Sequence, residues 1–471
     1  MECSPFRRRP VVRVVLLLFG ALLSVGVLSA QEQDAAARHR EVLRRILNEG
    51  LMHPEAFDML AELTARAGHR LSGSPGAATA VELAARMMRA KGLQRVRLEN
   101  VMVPRWERGP VERASILMHD GRPRRLAICA LGGSIATPPG GITAEVVEVR
   151  SFDELKQLGT STRGKIIFFN RPMDPTLLNT FEAYGRAVNQ RSRGAVEAAR
   201  AGGVAALVRS MTLALDDVPH TGGMGYADDL PKLPGAAVST RGANLLSELL
   251  KKRKHVRLNL ELSCNTYPDA PSHNVLGEIT GTERPDEVIV VGGHLDNWDK
   301  GQGAHDDGAG CVQAIEALNL LRKAGVRPRR TIRAVLFMNE ENGLRGGKAY
   351  AADEARRGER HVAMIESDRG GFVPRGVTTD SDTSVLGKLL RWQPLFESFG
   401  AGRLAAGPSG VDISPMVAKG VPGFGLDVET HRYFDYHHSD NDTLDKVNPR
   451  ELELGAIVEA LLCYLISEEG L

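Results

Sequence analysis

Residues 292–310, GGHLDNWDKGQGAHDDGAG, place two histidines and four aspartates in one glycine-rich stretch. Carboxylates that close repel one another, so they are stable only when each is solvated or when something cationic sits between them. Three more stretches carry the same residue types: NEENG at 339–343 with Glu340 and Glu341, ESDRGG at 366–371 with Asp368, and YHHSDNDT at 436–443 with His437 and His438. A lone Glu-Glu pair or His-x-Asp is usually surface decoration or a helix cap. Their placement relative to the strands is what gives them weight.

EVIVVGG (287–293), TIRAVLFMN (331–339) and HVAMIES (361–367) are near-continuous apolar runs of strand length, as expected of central strands covered on both faces. Between the first two lies a helical stretch in which Cys311, Ile315 and Leu318 share a face. Alternating strand and helix predicts an α/β fold with a mostly parallel central sheet and helices on both faces. In such sheets ligand sites form beyond the carboxyl ends of the strands. There the first strand delivers His294 and Asp296, the second Glu340 and Glu341, and the third Asp368, while Asp306 and Asp307 lie in the loop before the helix. Three successive buried strands that bring acids and histidine to one edge are costly without a compensating cation. Mixed imidazole and carboxylate donors favour zinc over calcium or magnesium. There are too many donors for one tetrahedral ion, which predicts two zinc ions sharing a bridging carboxylate, an arrangement suited to hydrolysis.

At 471 residues the chain holds two or three domains. A net charge of +2 gives no electrostatic case for nucleic acid as a partner, and the basic run KKRKH at 251–255 reads as a solvated helix end. RRRPVVR followed by VVLLLFGALLSVGVLSA and then a polar stretch has the layout of a secretory signal peptide over residues 1–30. The expectation is a periplasmic or secreted mature chain with no stable membrane span. Residues 31–130 are expected to form the first part of a catalytic domain, with helices over 33–66 and 76–91 and Gly92 at a helix end. The texture changes over 131–262, which reads as an inserted α/β domain, and 263–471 is the main part of the catalytic domain. Cys129, Cys264, Cys311 and Cys463 are widely spaced and are expected to be buried thiols.

The blocks GGHLDNWDKGQGAHDDGAG, NEENGLRGG, ESDRGG and YFDYHHSDNDT resemble the signatures of the co-catalytic zinc exopeptidases of the aminopeptidase and glutamate carboxypeptidase group. The likeness runs from about residue 34 to the end and is strongest over 273–445. The segment 131–262 is similar in its order to the protease-associated domain inserted in several secreted peptidases. The resemblance implies the zinc-exopeptidase (phosphorylase/hydrolase-like) fold, a two-zinc centre, a small peptide substrate and a homodimer contact. Carried onto this sequence, it assigns His294 and Glu341 to one zinc and Asp368 and His438 to the other, with Asp306 bridging. It makes Glu340 the general base and has Asp296 hydrogen-bond the ring of His294. It also implies a cis peptide bond between Asp306 and Asp307. His438 is chosen over His437 because the family's ligand immediately precedes Ser or Thr. His437 then lines the pocket, His305 packs or faces solvent, and Asp307 supports rather than binds. Asp412, in GPSGVDISPM, is left between contacting a substrate amine and capping a helix. The implied activity is hydrolysis of dipeptides or short peptides with a free terminus. The alternatives are a general aminopeptidase of broader length preference, a non-catalytic binding relative and a one-zinc glutaminyl cyclase; the complete ligand set disfavours the last two.

Overall fold

The computed structural model describes Met1, Asp34, residues 36–118, 122–253 and 255–471, without the side chain of residue 355. The signal peptide expected over 1–30 therefore lies outside the described residues apart from Met1.

Among the described residues the first helix covers 36–52 and a second Ala56–Ala67. Sequence periodicity alone predicts one helix through this region. Pro54 interrupts it, because proline lacks the N–H a helix needs and disfavours helical geometry in the residue before it. The third helix, Pro75–Ala90, lies one residue ahead of the expected 76–91; the Ser74 side chain accepts from the Ala77 N–H at its start, and Gly92 follows its end at φ 74°.

Sixteen strands follow among the described residues. They are β1 (Gln94–Glu107), β2 (Glu112–Leu117), β3 (Arg124–Leu126), β4 (Ile128–Ala130), β5 (Ile142–Val149), β6 (Ile166–Phe169), β7 (Ala205–Arg209), β8 (Gly235–Val238), β9 (Arg257–Leu262), β10 (Asn265–Ile279), β11 (Arg284–His294), β12 (Arg330–Phe337), β13 (Arg360–Glu366), β14 (Pro374–Thr379), β15 (Arg403–Ala406) and β16 (Gly423–Val428). They form two sheets of eight, β1-β10-β12-β11-β13-β16-β14-β15 and β3-β2-β9-β5-β6-β7-β8-β4.

The first sheet is mixed, which corrects the expectation of a mostly parallel one. Its middle four strands, β12-β11-β13-β16, are parallel, whereas β1/β10, β10/β12 and β14/β16 are antiparallel. The β1/β10 pair has a simple cause. The chain leaves this sheet along β1 and returns beside it along β10, with Glu107 opposite Asn265, and every described strand between them belongs to the second sheet. That second sheet starts at Glu112, ahead of the change in texture at 131, because β2 pairs with β9 and β4 with β8.

The central strands are buried on both faces, and successive side chains go to opposite cores. Ile289 and Val291 pack in one core with Cys311, Ile315 and Leu318 of the helix Ala309–Lys323 and with the C-terminal helix Pro449–Glu469. Val288 and Val290 pack in the other with Tyr350, Ile413 and Met416. This two-sided burial is the reason the strands read as continuous apolar runs. Cys129, Cys264, Cys311 and Cys463 are buried free thiols, and no helix among the described residues is long and apolar enough to cross a membrane.

Candidate metal centre

The parallel strands β11, β12 and β13 end at His294, Phe337 and Glu366, and the residues just past those ends converge. His294 Nε2 lies 3.3 Å from Asp306 Oδ1 and 3.4 Å from Asp368 Oδ1. His438 Nε2 lies 3.0 Å from Glu341 Oε2 and 3.3 Å from Asp306 Oδ2. Two groups of donors thus share the two oxygens of Asp306. The partition differs from the one the resemblance suggests: Asp368 goes with His294, and Glu341 with His438. The physical reason lies in the chain path past the strands. β12 and β13 both flank β11, but Asp368 follows directly from β13, whereas Glu341 comes after a turn past β12 in which Asn339 takes φ 75°. That turn carries Glu341 to the Trp298 N–H, which donates to its Oε1 at 3.3 Å, and the Trp298 ring meets His438 edge-on.

His437 also faces Asp306, its Nε2 3.8 Å from Oδ2, and stacks on His438 with ring centroids 3.5 Å apart. His305 does not join the centre. Its ring is stacked between Phe372 and Tyr436, and its Nδ1 accepts from the Gly371 N–H. The peptide bond between Asp306 and Asp307 is cis. Asp307 turns away from the shared oxygens, accepting from the N–H groups of His294 at 3.0 Å and Gly310 at 2.9 Å. A Cβ on Gly293 would collide with that carboxylate, so glycine is required there.

Asp296 acts differently from the expectation. The Nδ1 of His294 lies 2.9 Å from the Asp296 backbone carbonyl, and the Asp296 carboxylate is 4.0 Å from it. A carbonyl only accepts, so Nδ1 carries the proton and Nε2 presents its lone pair to the centre. The carboxylate instead accepts from the N–H groups of Asn339 at 2.7 Å and Glu340 at 3.1 Å, which sets the backbone that carries Glu340 and Glu341. Asp296→Asn therefore lowers kcat/KM by about 10- to 100-fold; steady-state kinetics within twofold of the parent would refute this role.

The electrostatics call for a cation. Burial pushes the carboxyl groups of Glu341 and Asp368 above the usual carboxylate range, and repulsion from Asp306 adds to it. Burial, with repulsion from Asp368, Asp296 and Asp306, pushes Glu340 up to about 8. Burial opposes charge on Asp306 as well, but its hydrogen bond to His294 and the nearby imidazoles hold it below the usual range. Asp306 Oδ2 is buried with no hydrogen-bond partner, although imidazole nitrogens flank it. The carboxylates of Asp306, Asp368 and Glu341 with the imidazoles of His294 and His438 are the donor types zinc takes, so the residues present fit that ion.

Several residues that hold this centre escape a reading of the sequence. Arg70, fully buried, donates from Nε to the Leu295 carbonyl, from Nη1 to that of Gln302 at 2.7 Å and from Nη2 to that of Gly303 at 2.9 Å, tying down the loop between His294 and Asp306. Asp442 accepts from the N–H groups of His305 at 2.7 Å and Asp306 at 3.1 Å. From the second sheet's domain, the Thr221 N–H donates to the His438 carbonyl at 2.9 Å, and His220 Nδ1 lies 2.7 Å from the His437 carbonyl. The segment 131–262 groups no acids, histidines or cysteines at catalytic spacing, so nothing in it marks His220 or Thr221. Asp412 is buried with both carboxylate oxygens unpartnered, and the helix Ser414–Val417 has no side-chain cap, so Asp412 is not a helix cap.

The family model of peptidase family M28 matches residues 274–462, the stretch that carries the converging side chains of His294, Asp306, Glu341, Asp368, His437 and His438. Over 439 residues the chain is 36% identical to carboxypeptidase Q of Mus musculus, covering 93% of this chain and 91% of that protein. A crystal structure of a peptidase M28 precursor from Shewanella amazonensis matches with a TM-score of 0.87 at 35% identity, covering 92% of this chain and 98% of that one. A zinc aminopeptidase from Bacillus subtilis shares the fold, with a TM-score of 0.62 at 20% identity over 86% of this chain and 93% of that one. With the likeness running through both sheets and the converging acids and histidines lying inside the matched region, the chain belongs to peptidase family M28.

Proposed function

We propose that this metallo-exopeptidase hydrolyses one peptide bond of a dipeptide or short peptide next to a free terminus, with two zinc ions held at the ends of β11, β12 and β13. The observation that carries the reading is the sharing of Asp306: Oδ1 faces His294, whose Nε2 also meets Asp368, while Oδ2 faces His438. His294, Asp368 and Asp306 would hold one ion, and His438, Glu341 and Asp306 the other. Bound there, the zinc pair supplies Lewis acidity and brings the pKa of water down toward about 7.

The chain's own residues do the rest. The Asp296 carbonyl keeps the His294 ring in the tautomer that offers Nε2. Glu341 is turned toward His438, and its neighbour Glu340 carries no ion pair among the described residues, so its carboxylate is free to take a proton from the attacking water and return it to the departing amine. Two adjacent acids are needed because one is fixed by the ion and the other must exchange a proton. The second sheet's domain, read as a protease-associated insert, holds the His437–His438 backbone through His220 and Thr221. The charged and apolar pattern at the N-terminus supports an extracytoplasmic location.

Elemental analysis of the purified chain beside hydrolysis of unblocked and N-acetylated dipeptides tests the reading. Two zincs per chain are expected, with cleavage of unblocked dipeptide that stops on chelation and returns when zinc is added back. One zinc per chain and release of ammonia from N-terminal glutamine would favour the cyclase instead, and zinc-replete protein that cleaves neither dipeptide would overturn the proposal.

A further inference from the structure

Between the two sheets lies a cavity of about 490 Å³ whose wall includes Trp106, Gly133, Tyr226, Lys232, Tyr267 and Glu341. Glu341 is also the residue whose Oε2 lies 3.0 Å from His438 Nε2, so the cavity adjoins the centre. Gly132 and Gly223 also lie on its wall. Gly132 and Gly223 pair with each other, and a Cβ on Gly132 would fall within the Trp298 ring. Aromatic sides and a volume of this order suit one or two amino-acid residues.

The wall's charges are matched, with one exception. Arg105 donates to Glu107 at 2.8 Å and lies over the Tyr267 ring at 4.6 Å, and Asp269 accepts from Arg345 at 2.5 Å. Glu341 faces the metal-binding histidine. Lys232 has no ion pair among the described residues, and its ammonium stands 5.5 Å from the centre of the Tyr226 ring. That ring is fixed: the Tyr226 hydroxyl accepts from the Ile135 N–H at 2.9 Å and donates to the Leu233 carbonyl at 2.9 Å. The Lys232 ammonium thus stands beside a rigid ring at the edge of the cavity, and its charge is available to a ligand.

We propose, resting on the exopeptidase reading above, that this cavity receives the residue on the leaving side of the scissile bond and that Lys232 binds its free α-carboxylate. The ammonium supplies the charge complement that a dipeptide brings and a longer or amidated peptide lacks at that position. The enzyme therefore prefers peptides whose chain ends one residue after the scissile bond. A charged hydrogen bond of this kind is worth about a tenfold discrimination.

The test compares an unblocked dipeptide with the same dipeptide amidated at its carboxyl end, using the zinc-loaded full chain. The parent enzyme is expected to favour the free acid. In Lys232→Met the ratio of kcat/KM for acid over amide falls by about tenfold through KM, and Lys232→Arg restores it. A ratio unchanged by Lys232→Met, or a parent enzyme without preference, overturns the carboxylate assignment and leaves the exopeptidase reading standing. A zinc-loaded parent that cleaves neither compound overturns that reading itself.

Discussion

Glu340→Gln is expected to lower kcat by about two to four orders of magnitude while zinc content and KM stay close to those of the parent. The amide has the shape of the acid but takes no proton, so the change removes proton transfer and little else. Glu340 is suited to that task by its place. Its N–H is tied to Asp296 at 3.1 Å, immediately before Glu341, which turns toward His438. Burial and neighbouring acids raise its carboxyl to about 8 when no cation balances them. Positive charge in the centre lowers that value, so the carboxylate form is available near neutral pH. An interaction made only in the transition state lowers kcat and kcat/KM together. Stopped-time dipeptide hydrolysis with elemental analysis on the same sample reads both quantities, and a variant that keeps more than about a tenth of the rate would remove Glu340 from the mechanism. Glu341→Gln provides the contrast, since it is expected to lose zinc as well as rate.

The second large effect is at Asp306. Asp306→Ala is expected to leave less than about one zinc per chain and to abolish measurable hydrolysis. Each oxygen of this carboxylate serves a different imidazole, at 3.3 Å from His294 and 3.3 Å from His438. Without it His294 and Asp368 remain on one side, and Glu341 with His438 on the other. Each set falls short of the three protein donors that a catalytic zinc takes. The fold should survive, because the cores on both faces of the first sheet are built from residues elsewhere. The melting temperature in the presence of zinc should fall toward that of the metal-free parent, since the variant loses the stabilisation that comes from binding the native state. Far-UV circular dichroism, a melting curve with and without zinc, and the metal content together check this. A variant that still holds two zincs would show that Asp306 does not join the two sets.

Much of this arrangement can be read from the sequence, for reasons that are local. β11, β12 and β13 appear as apolar runs because each is covered on both faces, and burial is written into residue type. Acids and histidine placed just past those runs, His294, Asp296, Glu340, Glu341 and Asp368, stand out by position, whereas Asp306 as the shared carboxylate and His438 over His437 come from the resemblance to the zinc exopeptidases. His305 is a case where residue type misleads: beside Asp306 in the sequence, it is stacked between Phe372 and Tyr436.

The tertiary structure decided what depends on direction and on distant partners. Which imidazole faces which carboxylate is set by the turn at Asn339 and by the Trp298 loop between Glu341 and His438, and neither has a periodic signal. Short strands such as β2 and β4 look the same in either sheet, and only pairing with β9 and β8 assigns them to the second. The antiparallel margin at β1 and β10 follows from where the chain leaves and returns. Arg70, Asp442, His220 and Thr221 are silent in the sequence because they act on backbone groups of far-off segments, and any residue type with a suitable donor or acceptor can do that once the fold brings it there. Sequence alone therefore determined the strands and the chemical types at their ends, through burial and periodicity. Three-dimensional folding decided the partners, because a hydrogen bond or a shared carboxylate depends on angles and distances between residues far apart along the chain.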